Sequence, residues 1–157
     1  MTILLFATML SLPAEAAPPR GGAKVGIGVG GGLGVSGLSG KFWLNDGNAI
    51  QVVVGAWGVG RDDWGYGYGV GLGADYLWEM PELTRAEPVI VAWNLGAGAT
   101  VGATNPDWLG VSGVAGLEFN FQPAPIDITV EYRPGFVILP GPGLDLVNFT
   151  GHARVHF

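Results

Sequence analysis

The feature that most constrains this chain is a strict alternation of apolar and polar residues that recurs to its end. Between residues 126 and 133, isoleucine, valine and tyrosine alternate with aspartate, threonine, glutamate and arginine. Residues 147–157 repeat the pattern, with a polar side chain at every even position. Successive side chains of a strand point to opposite faces, whereas helical faces repeat about every 3.6 residues. The alternation therefore predicts β-strands with one apolar and one polar face.

The same alternation divides the chain into eight segments. They are residues 24–30, 35–44, 48–57, 66–79, 88–101, 108–121, 125–137 and 145–157. Turn-forming residues separate them, as in Asn45-Asp46-Gly47-Asn48 and Pro140-Gly141-Pro142-Gly143. An even strand number, with short turns on one side and longer loops on the other, predicts an all-β fold. We expect an eight-stranded antiparallel up-and-down transmembrane β-barrel over residues 24–157.

The connections between the segments follow from this topology. With both termini in the periplasm, the extracellular loops are expected at 31–34, 58–65, 102–107 and 138–144. The segment 79–88 is then the longest periplasmic connection, and a helical turn is expected within it. The loop residues that we expect to make contacts are Asp62, Asp63, Trp64, Asp107 and Trp108.

Alternation alone does not say which face meets lipid, because a soluble lipocalin-like barrel also alternates. Composition favours the membrane version. Charged residues make up 13% of the 157 residues, about half the share usual in soluble domains. No apolar run approaches the ~20 residues of a membrane-spanning helix. The polar phase consists mostly of small residues such as Gly71, Gly73, Gly98, Gly110 and Ser112, which suit a narrow lumen.

Aromatic residues near the strand ends also favour a membrane barrel, because they form girdles at both membrane interfaces. The periplasmic girdle is expected to contain Phe42, Tyr76, Trp78, Phe119, Phe121 and Phe157. The opposite girdle is expected to contain Trp57, Trp64, Tyr66, Trp108 and Tyr132. Turning Arg133 and Arg154 toward lipid would cost ~2–4 kcal/mol each near the midplane. We therefore expect both arginines to face inward.

The first residues have the pattern of a targeting segment. Ile3 to Leu12 has the length of a signal-peptide apolar region, and Ala14-Glu15-Ala16 supplies an A-x-A cleavage site. Residues 1–16 are thus expected to be a signal peptide and 17–23 a flexible lead-in. Met1-Thr2 contains no Lys or Arg, so either the amino terminus alone supplies the charge or the true start lies upstream. The alternative is a buried N-terminal helix.

The alternating strands, the export signal and the terminal Phe157 resemble small outer-membrane barrels of the OmpA-transmembrane-domain and OmpX type. Segments 37–44 (GLSGKFWL) and 73–78 (GADYLW) also resemble those of an uncharacterised group of small bacterial barrel proteins. The resemblance covers residues 24–157 and implies an integral outer-membrane location, among lipids and lipopolysaccharide, and delivery by the outer-membrane assembly machinery. In such proteins the last strand is an assembly signal, which Ala153, Val155 and Phe157 match. The usual glycine is one position off, at Gly151.

The inward phase contains most of the charged residues of the predicted strands. These candidate site residues are Lys41, Asp75, Glu118, Asp127, Glu131, Arg133, His152 and Arg154. Buried charges need partners, so we expect a lumenal polar network in which the three bases face the four acids. It either fills and stiffens the lumen or lines a gated pore. The small interior of an eight-stranded barrel favours filling.

Other chemistry has weak support in the sequence. His152 and His156 share a face, but metal ligation needs more ligands than the ordinary carboxylates nearby, and no metal or cofactor is expected. Neither histidine adjoins a serine, so no catalytic residue is assigned. Residues 26–31 fit G-x-G-x-x-G without a following helix. The absence of cysteine excludes thiol chemistry, and the net charge of −6 disfavours nucleic-acid binding.

The leading expectation is a monomeric, non-enzymatic outer-membrane barrel that acts in envelope integrity or surface interaction. One alternative is a narrow channel for water or small solutes. Another is a lipid-modifying outer-membrane enzyme. A fourth is a soluble barrel that binds an apolar ligand, which requires the opposite orientation of the two faces.

Overall fold

A computed structural model of the protein describes residues 22–57, 69–103 and 107–157. Its regular elements are β1 (Val25–Gly31), β2 (Val35–Asn45), β3 (Asn48–Trp57), β4 (Gly69–Glu79), β5 (Thr84–Ala86), β6 (Val89–Ala103), β7 (Trp108–Phe121), β8 (Ile126–Tyr132), β9 (Gly135–Leu139), β10 (Gly143–Asp145) and β11 (Phe149–His156). No helix long and apolar enough to cross a membrane occurs in these residues. The predicted all-β fold is confirmed.

The strands close into a barrel. Antiparallel pairing runs β1-β2-β3-β4-β6-β7-β8-β11, and β11 pairs back to β1. β8 and β9 form one barrel strand, because the register against β7 is the same on both sides of the break at 133–134. β10 and β11 form the last strand, which is interrupted at 146–148. The barrel therefore has eight strands, as predicted, and neighbours in sequence are neighbours in the wall.

The registers also give the tilt of the strands. A row of paired residues that starts at Glu118 on β7 and follows the pairings once around the barrel returns to β7 at Trp108, ten residues from its start. With a rise of ~3.3 Å per residue and strands ~4.8 Å apart, this stagger corresponds to a tilt of about 40°. An 11-residue strand then spans about 28 Å along the barrel axis.

The connection between β4 and β6 differs from the prediction. The helical turn expected within residues 79–88 is wrong, because Thr84–Ala86 forms β5 and pairs with Val89–Val91 of β6. The Met80 and Leu83 amides donate to the carbonyls of Trp93 and Val91, so β5 continues the edge of β4 along β6. The backbone groups that a helical turn would have paired internally are therefore hydrogen-bonded to β6 instead. The result is a short β5–β6 hairpin at the edge of the wall, where the same β6 residues also pair with β7.

A cluster of apolar side chains occupies the half of the lumen away from the chain termini, where Thr100, Asp145 and Asn148 are buried as well. This apolar plug consists of Leu33, Val35, Val53, Trp57, Trp108 and Val137. The rings of Trp57 and Trp108 lie with centroids 4.2 Å apart, and each residue is 3% exposed. Both were expected in an outer girdle, and Trp108 also in a loop contact; those predictions are wrong. Trp57 lies four residues from Val53 and Trp108 four residues from Ser112, so each points into the lumen as those residues do. Alternation along the strand, and not nearness to a strand end, decides which face of the wall the side chain occupies.

Glycines make room for these two indoles. A Cβ on Gly34 would lie 2.4 Å from the Trp57 ring, and one on Gly110 would lie 2.3 Å from the Trp108 ring. Gly34 also has φ of +80°, a conformation that other residues rarely adopt. The small inward-facing residues therefore leave the space that a few large side chains occupy in the lumen.

Several sequence predictions lie outside the described residues. They are the signal peptide 1–16, residues 17–21 of the lead-in, the loop 58–65 with Asp62, Asp63 and Trp64, the girdle residue Tyr66, and residues 104–106 of the loop 102–107.

Candidate functional site in the barrel lumen

The structure brings all eight candidate site residues into the half of the lumen nearer the chain termini. Each occupies an inward position of its strand or directly follows the strand. They are Lys41 on β2, Asp75 on β4, Glu118 on β7, Asp127 and Glu131 on β8, Arg133 directly after β8, and His152 and Arg154 on β11. All are at least 95% buried. We call this region the polar layer; the apolar plug lies beyond it.

Arg133 is the centre of the largest ion-pair cluster. Its guanidinium donates two hydrogen bonds to the Asp75 carboxylate, at 3.0 and 2.5 Å. The Nε atom donates to Glu131 Oε2 at 2.8 Å and to the hydroxyl of Thr150 at 3.1 Å. Glu131 Oε2 also accepts from the Thr150 hydroxyl at 3.3 Å. One arginine thus bridges two carboxylates, in the bidentate geometry that lysine does not reproduce.

Arg154 organises a second cluster nearer the termini. Its Nε atom donates to both oxygens of Asp127, at 3.2 and 3.3 Å, and its terminal nitrogens donate to Thr129 at 2.8 Å and to Gln51 at 2.6 Å. His156 Nε2 lies 2.8 Å from Asp127 Oδ2. The His156 ring stacks on Trp43 at 5.2 Å.

Lys41 forms the third cluster. Its ammonium group contacts Glu118 Oε1 and lies 2.8 Å from Glu79 Oε1. The Asn94 amide donates to the same Glu118 oxygen at 2.9 Å. Lys41 and Glu118 are both 0% exposed, so each compensates the desolvated charge of the other.

Gln51 links the Arg133 and Arg154 clusters, and it was not among the site residues predicted from the sequence. Its amide nitrogen donates to Asp75 at 3.1 Å and to Glu131 at 3.0 Å, while its oxygen accepts from Arg154. The signal was present, since Gln51 is the one polar residue in a run of isoleucine and valine and has the inward phase of Val53. Glu79 was missed as well, because it lies at the end of its strand.

A serine, a histidine and a glutamate also form a hydrogen-bonded chain. Ser39 Oγ lies 2.9 Å from His152 Nδ1, and His152 Nε2 lies 3.1 Å from Glu131 Oε2. These residue types in this order can activate a serine as a nucleophile. Ser39 is only 1% exposed inside the filled lumen. A shallow apolar groove of ≈ 870 Å³ lies on the outer wall; its lining residues include Ala97 and Phe136, and also Asp75 and Ser112 of the lumen.

The three residues of the predicted assembly signal lie on the outer face of the last strand. Ala153 and Val155 are exposed, and Phe157 is 72% exposed. The Phe157 carbonyl accepts from the Lys24 amide at 3.0 Å, and its own amide donates to the Val25 carbonyl at 2.8 Å. The end of the chain therefore lies in the seam where the last strand meets β1.

The outer wall is apolar on every barrel strand. Exposed side chains include Ile27 on β1, Leu38 on β2, Leu72 on β4, Val101 on β6 and Val130 on β8. None of the outward-facing residues on the described barrel strands is charged. Outward aromatic residues at the terminal end include Phe42, Tyr76 and Phe157, whereas Tyr132, Phe136 and Phe149 lie farther from the termini. The barrel therefore has its charges inside and its apolar surface outside.

No family model matches this chain, and no match was found among curated proteins or solved structures. Barrels of one architecture serve unrelated functions. The charge-free outer wall and the packed lumen are therefore the features from which a function is inferred.

Proposed function

We propose that this protein is an integral, non-enzymatic outer-membrane barrel with a closed lumen, which acts in envelope integrity or in surface interaction through its loops. The observation that carries the proposal is the distribution of charge. Arg133, Arg154 and Lys41 are buried in the lumen, while the outward positions of the described barrel strands carry no charge. A soluble barrel would place these charges on its surface.

The extent of the apolar wall supports a lipid environment. Soluble monomers rarely expose contiguous apolar patches larger than a few hundred Å², and burying a Leu, Ile, Val or Phe side chain contributes roughly 1.5–3 kcal/mol. Because such residues lie on every strand, transfer of the whole outer wall from water to lipid is favourable. The span of about 28 Å estimated for an 11-residue strand matches the ~25 Å apolar band of membrane barrels.

The packing of the lumen supports closure. The apolar plug and the buried Asp145–Asn148 pair occupy one half. Ion-paired side chains and a second apolar cluster, of Trp43, Ala49, Leu77 and Val114, occupy the other. Eight strands leave an interior that side chains just fill. We therefore favour a filled barrel over a channel, which would need a continuous polar path past Trp57 and Trp108.

Two experiments test the proposal. Cell fractionation is expected to recover the protein in the outer membrane, as a band whose gel mobility changes on heating; recovery in the soluble periplasm would contradict it. In planar bilayers the purified barrel is expected to give no stable conductance. A stable conductance that changes on Arg154→Ala would show a channel instead.

The chain Ser39–His152–Glu131 favours one second candidate, a lipid-modifying hydrolase. Burial of Ser39 argues for a structural hydrogen bond, because a nucleophile must reach its substrate. Incubation with lipid A, followed by mass spectrometry, separates the two. Loss of an acyl chain that depends on Ser39, measured against Ser39→Ala, would establish the enzyme.

A further inference from the structure

A shallow groove crosses the outer wall obliquely, over β3, β4, β6, β7, β9 and β10. The strand pairings place its outward-facing residues in two neighbouring rows, each at right angles to the strands. One row contains Ile50, Tyr76, Ala97, Gly113 and Pro134, and the other contains Ala74, Ala99, Val111, Phe136 and Leu144. We call this feature the outer-wall groove. Its volume of ≈ 870 Å³ lies in the range of roughly 300–1,000 Å³ that is typical of ligand sites.

Small residues form the floor of the groove. Ala97 and Ala99 on β6 and Gly113 on β7 face outward in its middle. Asp75 and Ser112 occupy inward positions between the two rows and are 5% and 7% exposed, so their side chains belong to the lumen. The outward-facing residues that line the groove carry no charge. Among the described residues, the groove is therefore an apolar site in an apolar wall.

A tyrosine holds the end of the groove that lies away from the chain termini. Leu144 and Leu146 line this end and are 68% and 55% exposed. The Tyr132 hydroxyl donates to the Leu146 carbonyl at 2.8 Å, and the Tyr132 ring lies 5.3 Å from the Phe149 ring. The segment 146–148, where the last strand is interrupted, is therefore tied to β8 at the edge of the groove.

We propose that the outer-wall groove binds one acyl chain of a lipid in the outer leaflet. This inference rests on the membrane location in the proposed function and adds a lipid site to it. The groove crosses five strand intervals of ~4.8 Å, so it is about 24 Å long. With strands tilted by about 40°, it rises about 15 Å toward the end away from the termini, which is half of the ~30 Å hydrocarbon core. The groove therefore has the depth of one leaflet.

Protein segments fit the groove less well than a lipid chain does. A helix with its side chains is about 10–12 Å wide, whereas neighbouring outward rows lie only ~6.6 Å apart. A second barrel presents a convex wall, which does not reach a floor formed by Ala97 and Gly113. An acyl chain is thin and flexible, so it can follow the oblique course of the groove between Tyr76 and Leu144.

Filling the floor of the groove tests the site. Ala97→Phe places a ring in the groove, and Ala56→Phe places the same ring at an exposed position of β3 outside it. Both variants and the unchanged protein are reconstituted in phosphatidylcholine vesicles, floated with them, extracted in mild detergent and weighed by native mass spectrometry. Heat-dependent gel mobility checks that each protein is folded, and Ala99→Phe serves as a second filling variant.

The unchanged protein and Ala56→Phe are expected to retain one lipid. In Ala97→Phe and Ala99→Phe the ratio of lipid-bound to free protein is expected to fall at least about 10-fold, which corresponds to ~1.4 kcal/mol of binding free energy. Phosphatidylglycerol with the same acyl chains is expected to give the same retention, because the outward-facing lining has no charged side chain to select a headgroup.

Equal retention in Ala97→Phe and Ala56→Phe, or no retained lipid in the unchanged protein, would overturn the site and leave the membrane barrel standing. A preference for one headgroup would also overturn an acyl-chain site. A two-chain mass that only the filling variants lose would show that a second copy, and not a lipid, covers the groove. Failure to float with the vesicles would contradict the proposed function itself.

Discussion

Removing Arg133 is the sharpest test of the polar layer. Arg133→Met keeps most of the side-chain volume but leaves the Asp75 and Glu131 carboxylates without their arginine. Asp75 then retains one side-chain partner, the Gln51 amide at 3.1 Å. Removing one partner of a buried ion pair costs about 3–5 kcal/mol, because an uncompensated charge stays buried. That is at least about a fifth of the ~5–15 kcal/mol net stability of a typical domain.

The chain offers a matched control in the exposed pair Arg85–Glu82. Its nitrogen-to-oxygen distance of 2.6 Å is close to that of Arg133–Asp75, but the two side chains are 54% and 37% exposed. The hydrogen bond to Glu82 raises the pKa of Arg85 above its ordinary value. Solvent screens such pairs, so Arg85→Met is expected to leave stability unchanged within error.

Urea unfolding in lipid vesicles, followed by the fluorescence of the six tryptophans, measures both variants. A second change, Asp75→Asn in the Arg133→Met background, is expected to recover much of the lost stability. It neutralises the buried carboxylate that keeps only one side-chain partner. If Arg133→Met unfolds at the same urea concentration as Arg85→Met, the reasoning about buried charge in this lumen is wrong.

Three further predictions follow from the packing. Gly34→Ala is expected to destabilise the barrel clearly more than Gly141→Ala in urea unfolding, because a Cβ would collide with Trp57 in the first case and meet nothing within 4 Å in the second; equal stabilities would contradict the packing of the plug. Trp57→Ala is expected to lower the free energy of unfolding by about 3–5 kcal/mol, and a loss below ~1 kcal/mol would show that Trp57 is not a core residue. Phe157→Ala is expected to reduce the amount of protein assembled in the outer membrane while refolding in detergent stays normal; a refolding defect of equal size would assign Phe157 to stability instead.

Strand phase was readable from the sequence, and it accounts for most of what was predicted correctly. Alternation over residues 126–133 separates Ile128 from Asp127, and the structure places them on opposite faces. It also assigns Arg133 and Arg154 to the lumen side. The errors arose where another cue was preferred to phase, as for Trp57, which was assigned to a girdle because it lies at a strand end.

The pairing of charges was not readable from the sequence. Which acid contacts which base depends on the ten-residue offset that accumulates around the closed barrel. That offset is set by the pairing of all eight strands together, so no single strand reveals it. Lys41 meets Glu118 across 77 positions of sequence, and Arg154 reaches Gln51 across 103. Gln51 shows the same limit, because its role as a link appears only when β3 is placed opposite β8 and β11 in the closed lumen.

The central claim is that the outer wall meets acyl chains while the ionic groups lie inside. Spin labels at cysteines that replace Leu72 and Val130 on the outer wall test it most directly in lipid vesicles, with the exposed Glu87 in the β4–β6 connection as the reference outside the wall. We predict high oxygen collision rates and little contact with a water-soluble nickel complex at positions 72 and 130, and the reverse at position 87. Nickel accessibility at all three positions would contradict it.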